Sequence, residues 1–431
     1  MREPTGTTAL TGSTTPTGTT ALTGSTTPTG RTALTGVRTA IHRVDRATPA
    51  ERDRSVDALR ALAILGVVLG HWLVTALVAD GGALRTASPL QHMPWLTPVS
   101  WVFQTLAVFF LVGGHVATKS YASARARGTT HGQWLRARAV RLLRPVAAVL
   151  TLWTVATVCL LASGADFGTV RTLVKLALSP LWFLVVFAGL TAATPLLTRL
   201  SPLWPLAVVL HVDVIRFGLG GPAWLGWVNL AAGWMVPYTL GAAWTRGELE
   251  GRRAGWVLFG GGVSATVVLV ACAGYPASMV GIPGAAVSNL DPPTLAAVTF
   301  GLAQCGLALL LREPLRRVMR RPVLWAGTAF ANLSAMTIFL WHQSSLMVVT
   351  ALGLLAGRLP GLHTTPDSLV WVAARVAWLP VFVCALTLCW FAFSAHERGS
   401  RRRTGRPSRV VRVHRVRRGP GPATPKAAPR A

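Results

Sequence analysis

The stretch "DALRALAILGVVLGHW", residues 57–72, decides the fold. It begins like the flank of a soluble helix, runs into ten uncharged residues after Arg60, and closes on His71 and Trp72. On a helix the eleven steps from Arg60 to His71 turn through about 1100°, three turns plus ~20°. The two side chains therefore share one stripe, ~16 Å apart along the axis. If the run crosses a bilayer, Arg60 sits near one boundary and His71 near mid-membrane. An ionisable group at that depth faces the bundle interior or a water-filled cavity and marks function by default. The plainer readings are an interhelical hydrogen bond for His71 and a snorkelling anchor for Arg60.

The rest of the chain supports the membrane reading. Of 431 residues, 52% are hydrophobic and only 13% charged, more apolar matter than one soluble core needs. Ten runs are long enough to span at 1.5 Å per residue: 57–79, 98–118, 143–163, 179–197, 203–219, 223–244, 255–275, 294–311, 328–352 and 369–394. The net charge of +28 would suit a nucleic-acid binder if it formed one face, but it falls instead between apolar runs and in the tail after Arg398. Sixteen Lys and Arg occupy the loops after the second, fourth, sixth and eighth runs. The opposite loops hold five: Arg85, Arg171, Lys175, Arg358 and Arg375. The positive-inside rule then places both termini in the cytoplasm. The expectation is an all-α polytopic protein of the cell membrane with about ten transmembrane helices, the lipid bilayer as partner and no nucleic acid.

Three domains follow. Residues 1–50 carry a twelve-residue repeat, TTALTGSTTPTG at 7–18 and again at 19–30, low-complexity sequence read as disordered. They lack the apolar segment of a secretory signal. Residues 52–396 form the membrane domain, and 397–431 a basic tail suited to anionic lipid. All five cysteines lie in apolar runs without CxxC spacing, so they read as small hydrophobes, and no metal is expected. The Ala, Arg and Gly content is compatible with a GC-rich bacterial genome.

Further clusters could carry chemistry. In "RARAVRLLRP", residues 136–145, Arg138, Arg141 and Arg144 recur every third residue and offer guanidiniums suited to phosphate, or to lipid headgroups. "GGH" at 113–115 allows close backbone approach and adds a second imidazole. "LWHQ" at 340–343 places His342 and Gln343 at middle or outer depth, where His342 could orient a sugar hydroxyl or partner His71. Asp213 and Arg216, three residues apart, read as an internal ion pair or as part of a polar substrate pocket. Trp182 is an interfacial anchor or a sugar-stacking platform. No GxSxG, P-loop, HExxH or dinucleotide fingerprint is present.

Arg60 and His71 with ten residues between them, "FFLVGG" at 109–114, "RLLRP" at 141–145, "LWFL" at 181–184 and "FLWHQ" at 339–343 resemble, in order, the membrane-bound acyltransferase-3 family over about residues 52–396. That resemblance implies a ten-helix protein that moves an acetyl or other short acyl group from acyl-CoA, acetyl-CoA above all, to a hydroxyl of a carbohydrate or glycosylated metabolite. It implies His71 as the catalytic residue, Arg60 near the donor, and Arg141 and Arg144 on the phosphates of coenzyme A. "GGH" at 113–115 departs from the Ser-Gly-Phe-like sequence of many relatives. Imidazole suits either general-base attack on a thioester or a transient acyl-imidazole. Trp182, Asp213, Arg216, His342 and Gln343 remain substrate-binding candidates. The alternative is a transporter or exporter of a polar metabolite with Asp213, Arg216, His71 and His342 along its path.

Overall fold

The computed structural model describes residues 30–398. The two full repeat copies, but for Gly30, and nearly all of the basic tail lie outside the described residues. The long elements are helices α1 (Gly30–Arg46) and α2 (Arg54–Val74), a hairpin of β1 (Ala76–Asp80) and β2 (Ala83–Ala87), then helices α3 (Leu106–Ala126), α4 (His131–Ala162), α5 (Phe167–Leu178) and α6 (Leu181–Ala192). Next come α7 (Leu203–Asp213), α8 (Val228–Thr245), α9 (Arg252–Cys272), α10 (Leu295–Val318), α11 (Pro322–Leu333), α12 (Ala335–Gly353) and α13 (Leu369–Arg398).

Eight helical segments among the described residues are long and apolar enough to cross a membrane, rather than ten. The run expected at 203–219 is the short α7 followed by a π turn over Val214–Gly218, and the run at 223–244 yields α8, whose 18 residues are diluted by Asn229, Pro237, Tyr238 and two threonines. How the eight are exposed shows what surrounds them. The apolar windows of α2 and the segment Ala335–Ala356 are 56% and 61% buried, whereas those of α4 and α13 are 11% buried. α4 turns Leu150, Val155, Val158 and Leu161 outward, and α13 does the same with Val370, Leu388 and Phe391. Continuous apolar faces on this scale require a bilayer.

α2 and α12 form the centre. α2 starts where the Asp53 carboxylate accepts from Ser55 N at 3.1 Å, and it contains no proline. It was expected to run to residue 79 but stops at Val74. Gly81 and Gly82 take φ of 55° and 82°, the left-handed pair that a two-residue hairpin turn needs, and β1 pairs antiparallel with β2. α3 and α8 meet backbone to backbone: a Cβ on Gly114 would stand 2.0 Å from the Tyr238 carbonyl oxygen, and one on Gly241 2.0 Å from that of Leu111. Around this crossing Phe110 stacks on Trp234 at 4.9 Å, and Phe183 lies edge-on to Phe110 at 5.1 Å.

Residues 30–46, read from the sequence as part of a disordered tail, form α1, which packs against α11. The repeat ends at 36, and past it the charged sequence finds partners: Asp45 pairs with Arg54 at 2.8 Å, and beyond the helix Thr48 Oγ1 accepts from the Trp325 indole at 2.8 Å.

Candidate active site

The end of α2 opposite its N-cap borders a cavity of about 1390 Å³. Its inner wall includes His71, Trp182, Phe183, Phe339 and Gln343, and its other walls come from the hairpin, α5 and the loop 280–291. His71 is brought there because α2 ends three residues later, at Val74. The carbonyls at that end are taken by Arg375 of α13, whose Nε donates to Trp72 O at 2.6 Å and Nη2 to Thr75 O, while Nη1 donates to Gly361 O at 2.9 Å. The Thr75 N–H caps His71 O at 3.0 Å, and the remaining carbonyls of a buried helix end need such donors.

α12 supplies the neighbours. Gln343 Nε2 lies 3.0 Å from His71 Nδ1, and the rings of His71 and His342 are 5.1 Å apart, tilted by 40°. Three bonds hold this turn of α12 in register. The Trp72 indole donates to His342 O at 2.9 Å, Ser345 Oγ to the same carbonyl at 2.7 Å, and the Trp153 indole of α4 to Ser344 Oγ at 2.9 Å. His342 and Gln343 are fully buried.

The hydrogen bonds define the protons. His342 Nδ1 lies 2.6 Å from the Phe339 carbonyl, which can only accept, so Nδ1 carries the proton and Nε2 the lone pair. That Nε2 is buried without a partner, as is Gln343 Oε1. With the Gln343 nitrogen donating to His71 Nδ1, the neutral His71 ring keeps its proton on Nε2. With the amide turned end for end, Oε1 accepts Nδ1–H and Nε2 becomes the base. Gln343 thus sets the tautomer.

The arginines stand at the other end of the bundle. Arg60 Nε donates to Asn332 Oδ1 at 2.5 Å, and its Nη2 lies 3.9 Å from Asp57. Arg141 Nε donates to Ala137 O within its own helix at 3.1 Å. Arg141 and Arg144 are exposed and form no ion pair with a carboxylate of the described residues, whereas Arg52, Arg312 and Arg316 are engaged by Asp57 and Asp53.

Asp213 and Arg216 do not form the expected ion pair. The Asp213 carboxylate accepts from Asn229 Nδ2 (2.9 Å), Tyr275 OH (3.0 Å) and Leu295 N (2.7 Å), while the Arg216 guanidinium lies over the Phe217 ring at 4.7 Å. Neither borders the cavity, so Asp213, Arg216, His71 and His342 do not line one path. Trp182 does border it, 6.0 Å from Trp234. His115 is taken up in packing: it stacks on Trp244 at 4.2 Å, with Nδ1 2.9 Å from Thr245 Oγ1.

Sequence reasoning missed Arg375 and Asn332. Arg375, counted among the loop cations, lies instead inside the last apolar run, within α13 (Leu369–Arg398), the kind of lone cation that merits a role in a membrane. Asn332 carried no signal, because its partner Arg60 is 272 positions away.

The fold and site together define a multi-pass membrane protein with a pair of imidazoles, one buried and one at the wall of a large cavity. A family model described as an acyltransferase domain matches residues 53–394. The chain belongs to this acyltransferase family, the acyltransferase-3 group, and is a membrane acyltransferase. No curated protein and no solved structure matches it.

Proposed function

We propose that the protein moves an acetyl or other short acyl group from acyl-CoA, at the cytoplasmic face of the cell membrane, to a hydroxyl of a carbohydrate or glycosylated metabolite held in the cavity. The observation that carries this reading is His71, at the cavity wall, with Nδ1 held by Gln343 and a second imidazole 5.1 Å away. In this reading the bundle has ten crossings, counting α7 and α8, and both termini are cytoplasmic, so the basic end faces the donor and the cavity faces outward.

Arg144 and Trp153 are nine residues apart on α4, ~14 Å along its axis, and Trp153 holds the turn of α12 beside His342. Arg60 lies ~16 Å below His71 on α2. The arginines therefore share one depth and the imidazoles another. The pantetheine arm of the donor would cross that separation, with Arg141 and Arg144 on its phosphates. Arg60, engaged by Asn332 and Asp57, contributes charge at the same level.

Two routes fit the site. Both need the Gln343 amide turned so that Oε1 accepts Nδ1–H and Nε2 is free. As a base, His71 Nε2 then takes the hydroxyl proton while the hydroxyl oxygen bonds to the thioester carbonyl carbon; the C–S bond breaks, and the thiolate of coenzyme A leaves and is protonated. As a carrier, His71 Nε2 bonds to that carbon itself and expels the thiolate. The acceptor oxygen then attacks the acyl-imidazole, its proton going to the His342 Nε2 lone pair. Rapid-quench analysis of His71 for a transient acid-labile acyl adduct separates the routes.

The test of the proposal is acetyl-CoA binding and coenzyme A release by the purified protein. Wild type should bind and turn over acetyl-CoA. Arg141→Ala/Arg144→Ala should bind it about tenfold or more weakly, and His71→Ala should bind normally with turnover reduced by about 10²–10⁴-fold. A folded His71→Ala protein with full turnover refutes the proposal.

A further inference from the structure

The outward end of the bundle is poor in cations, yet those it has converge on the cavity. Of the five Lys and Arg on that side, Arg85, Arg171, Lys175 and Arg375 line it. Topology gives no reason for cations there, since positive charge is favoured at the opposite end. They come from separate elements: Arg85 from β2, Arg171 and Lys175 one turn apart on α5, and Arg375 from α13. The hairpin and α5 are joined by Leu84 N donating to Thr169 Oγ1 at 3.0 Å, which sets Arg85 beside the α5 pair.

These charges are not neutralised by the protein. Arg85, Arg171 and Lys175 are exposed and form no ion pair with a carboxylate of the described residues. Arg375 is satisfied by carbonyls alone, so its charge stands. Two carboxylates share the walls, Asp166 and Asp291. Asp166 is committed to capping α5, accepting from Thr169 N at 2.7 Å. The wall is left with four cations against two acids.

Resting on the acyltransferase reading above, we infer that the acceptor held in this cavity is anionic: a hydroxylated molecule that also carries a carboxylate or phosphate, bound by Arg85, Arg171 and Lys175 while its hydroxyl approaches His71. A neutral sugar would leave three cations with nothing to bind but solvent. Phosphate or carboxylate could also be presented by a lipid headgroup, and the experiment distinguishes that source.

Ser179 borders the cavity at the end of α5 and accepts a conservative change to cysteine. In the full-length protein with its five native cysteines replaced, in zwitterionic nanodiscs, Ser179→Cys is labelled with an anionic and a cationic methanethiosulfonate of equal size. Rates are normalised to a free thiol. The anionic reagent should be favoured, and Arg85→Gln/Arg171→Gln/Lys175→Gln should cut that preference by at least about tenfold at low salt. The charge-keeping variant Arg171→Lys/Lys175→Arg should retain it. A preference that is absent, or unmoved by the triple variant, overturns the inference. So does a preference abolished by adding phosphatidylglycerol to the discs, which would assign the cations to headgroups. Acetyl-CoA binding, which both routes require, is read in the same preparations. Its absence with the anion preference intact faults the acyltransferase reading alone, and its presence without the preference faults the inference alone.

Discussion

Replacing Arg375 with methionine removes the donors that end α2. Three carbonyls lose their partner: Trp72 O, Thr75 O and Gly361 O. A buried carbonyl left unsatisfied costs about 1–3 kcal/mol. Thr75 borders the cavity and its carbonyl can recover water, so two carbonyls bear most of the loss. Methionine fills the space of the arginine stem beside Trp371 and Phe382, whose ring centres lie 5.5 and 4.8 Å from the guanidinium carbon. Removing a fully buried guanidinium also returns part of its desolvation cost. The net loss is about 3 kcal/mol, with Arg375→Lys intermediate because one ammonium cannot reach three carbonyls. Titration with SDS in mixed micelles, followed by tryptophan fluorescence, measures the change, and hydrogen exchange over residues 72–80 should rise in the methionine variant. A methionine variant within about 0.5 kcal/mol of wild type, with exchange over 72–80 unchanged, refutes the reasoning.

Gly114→Ala and Gly241→Ala should each abolish a monodisperse peak in size-exclusion chromatography, because the added Cβ would meet a carbonyl oxygen at 2.0 Å, while Gly261→Ala, with nothing within 4 Å, should behave as wild type. Gln343→Leu should leave acetyl-CoA binding intact and lower turnover by roughly 10–100-fold, with Gln343→Glu recovering part of it by accepting from Nδ1–H; equal turnover in the leucine variant and wild type would remove Gln343 from the mechanism. Burial opposes ionisation of Asp53, but hydrogen bonds from Ser55 and Arg312 and the Arg312 charge outweigh it and hold the carboxyl below its usual range. A carboxyl depressed in the folded state contributes stability above its unfolded pKa, about 3.9, that is lost as pH falls through the folded value. Asp53→Asn should therefore flatten the fall in thermal stability below about pH 4, measured in detergent.

The features legible in the sequence are those set by spacing within one helix. Arg60 and His71 do lie on the single helix α2, and the acyltransferase resemblance over 52–396 agrees with the family match over 53–394. The glycine pair at 113–114 announced a close crossing, which α3 and α8 make. What the sequence hid was set by distant partners. Hydropathy continues past Val74, so the end of α2 could not be placed without Arg375, 300 positions beyond Thr75. Asp213 and Arg216 suggested each other by proximity, but three donors from Asn229, Tyr275 and Leu295 outcompete a single guanidinium for the carboxylate. The approach of His342 to His71 was one option among several until α2 and α12 were packed together.

The clasp of Arg375 on the end of α2 has a consequence for biogenesis. The helix that carries His71 emerges from the ribosome among the first, but the residue that finishes it belongs to α13, the last helix among the described residues. Until α13 is inserted, the carbonyls of Trp72 and Thr75 lack their donor, and the hairpin that follows has no fixed starting point. A partly synthesised chain thus holds its imidazole on an unfinished helix, and the setting of His71 against α12 is completed only when translation of the membrane domain is complete.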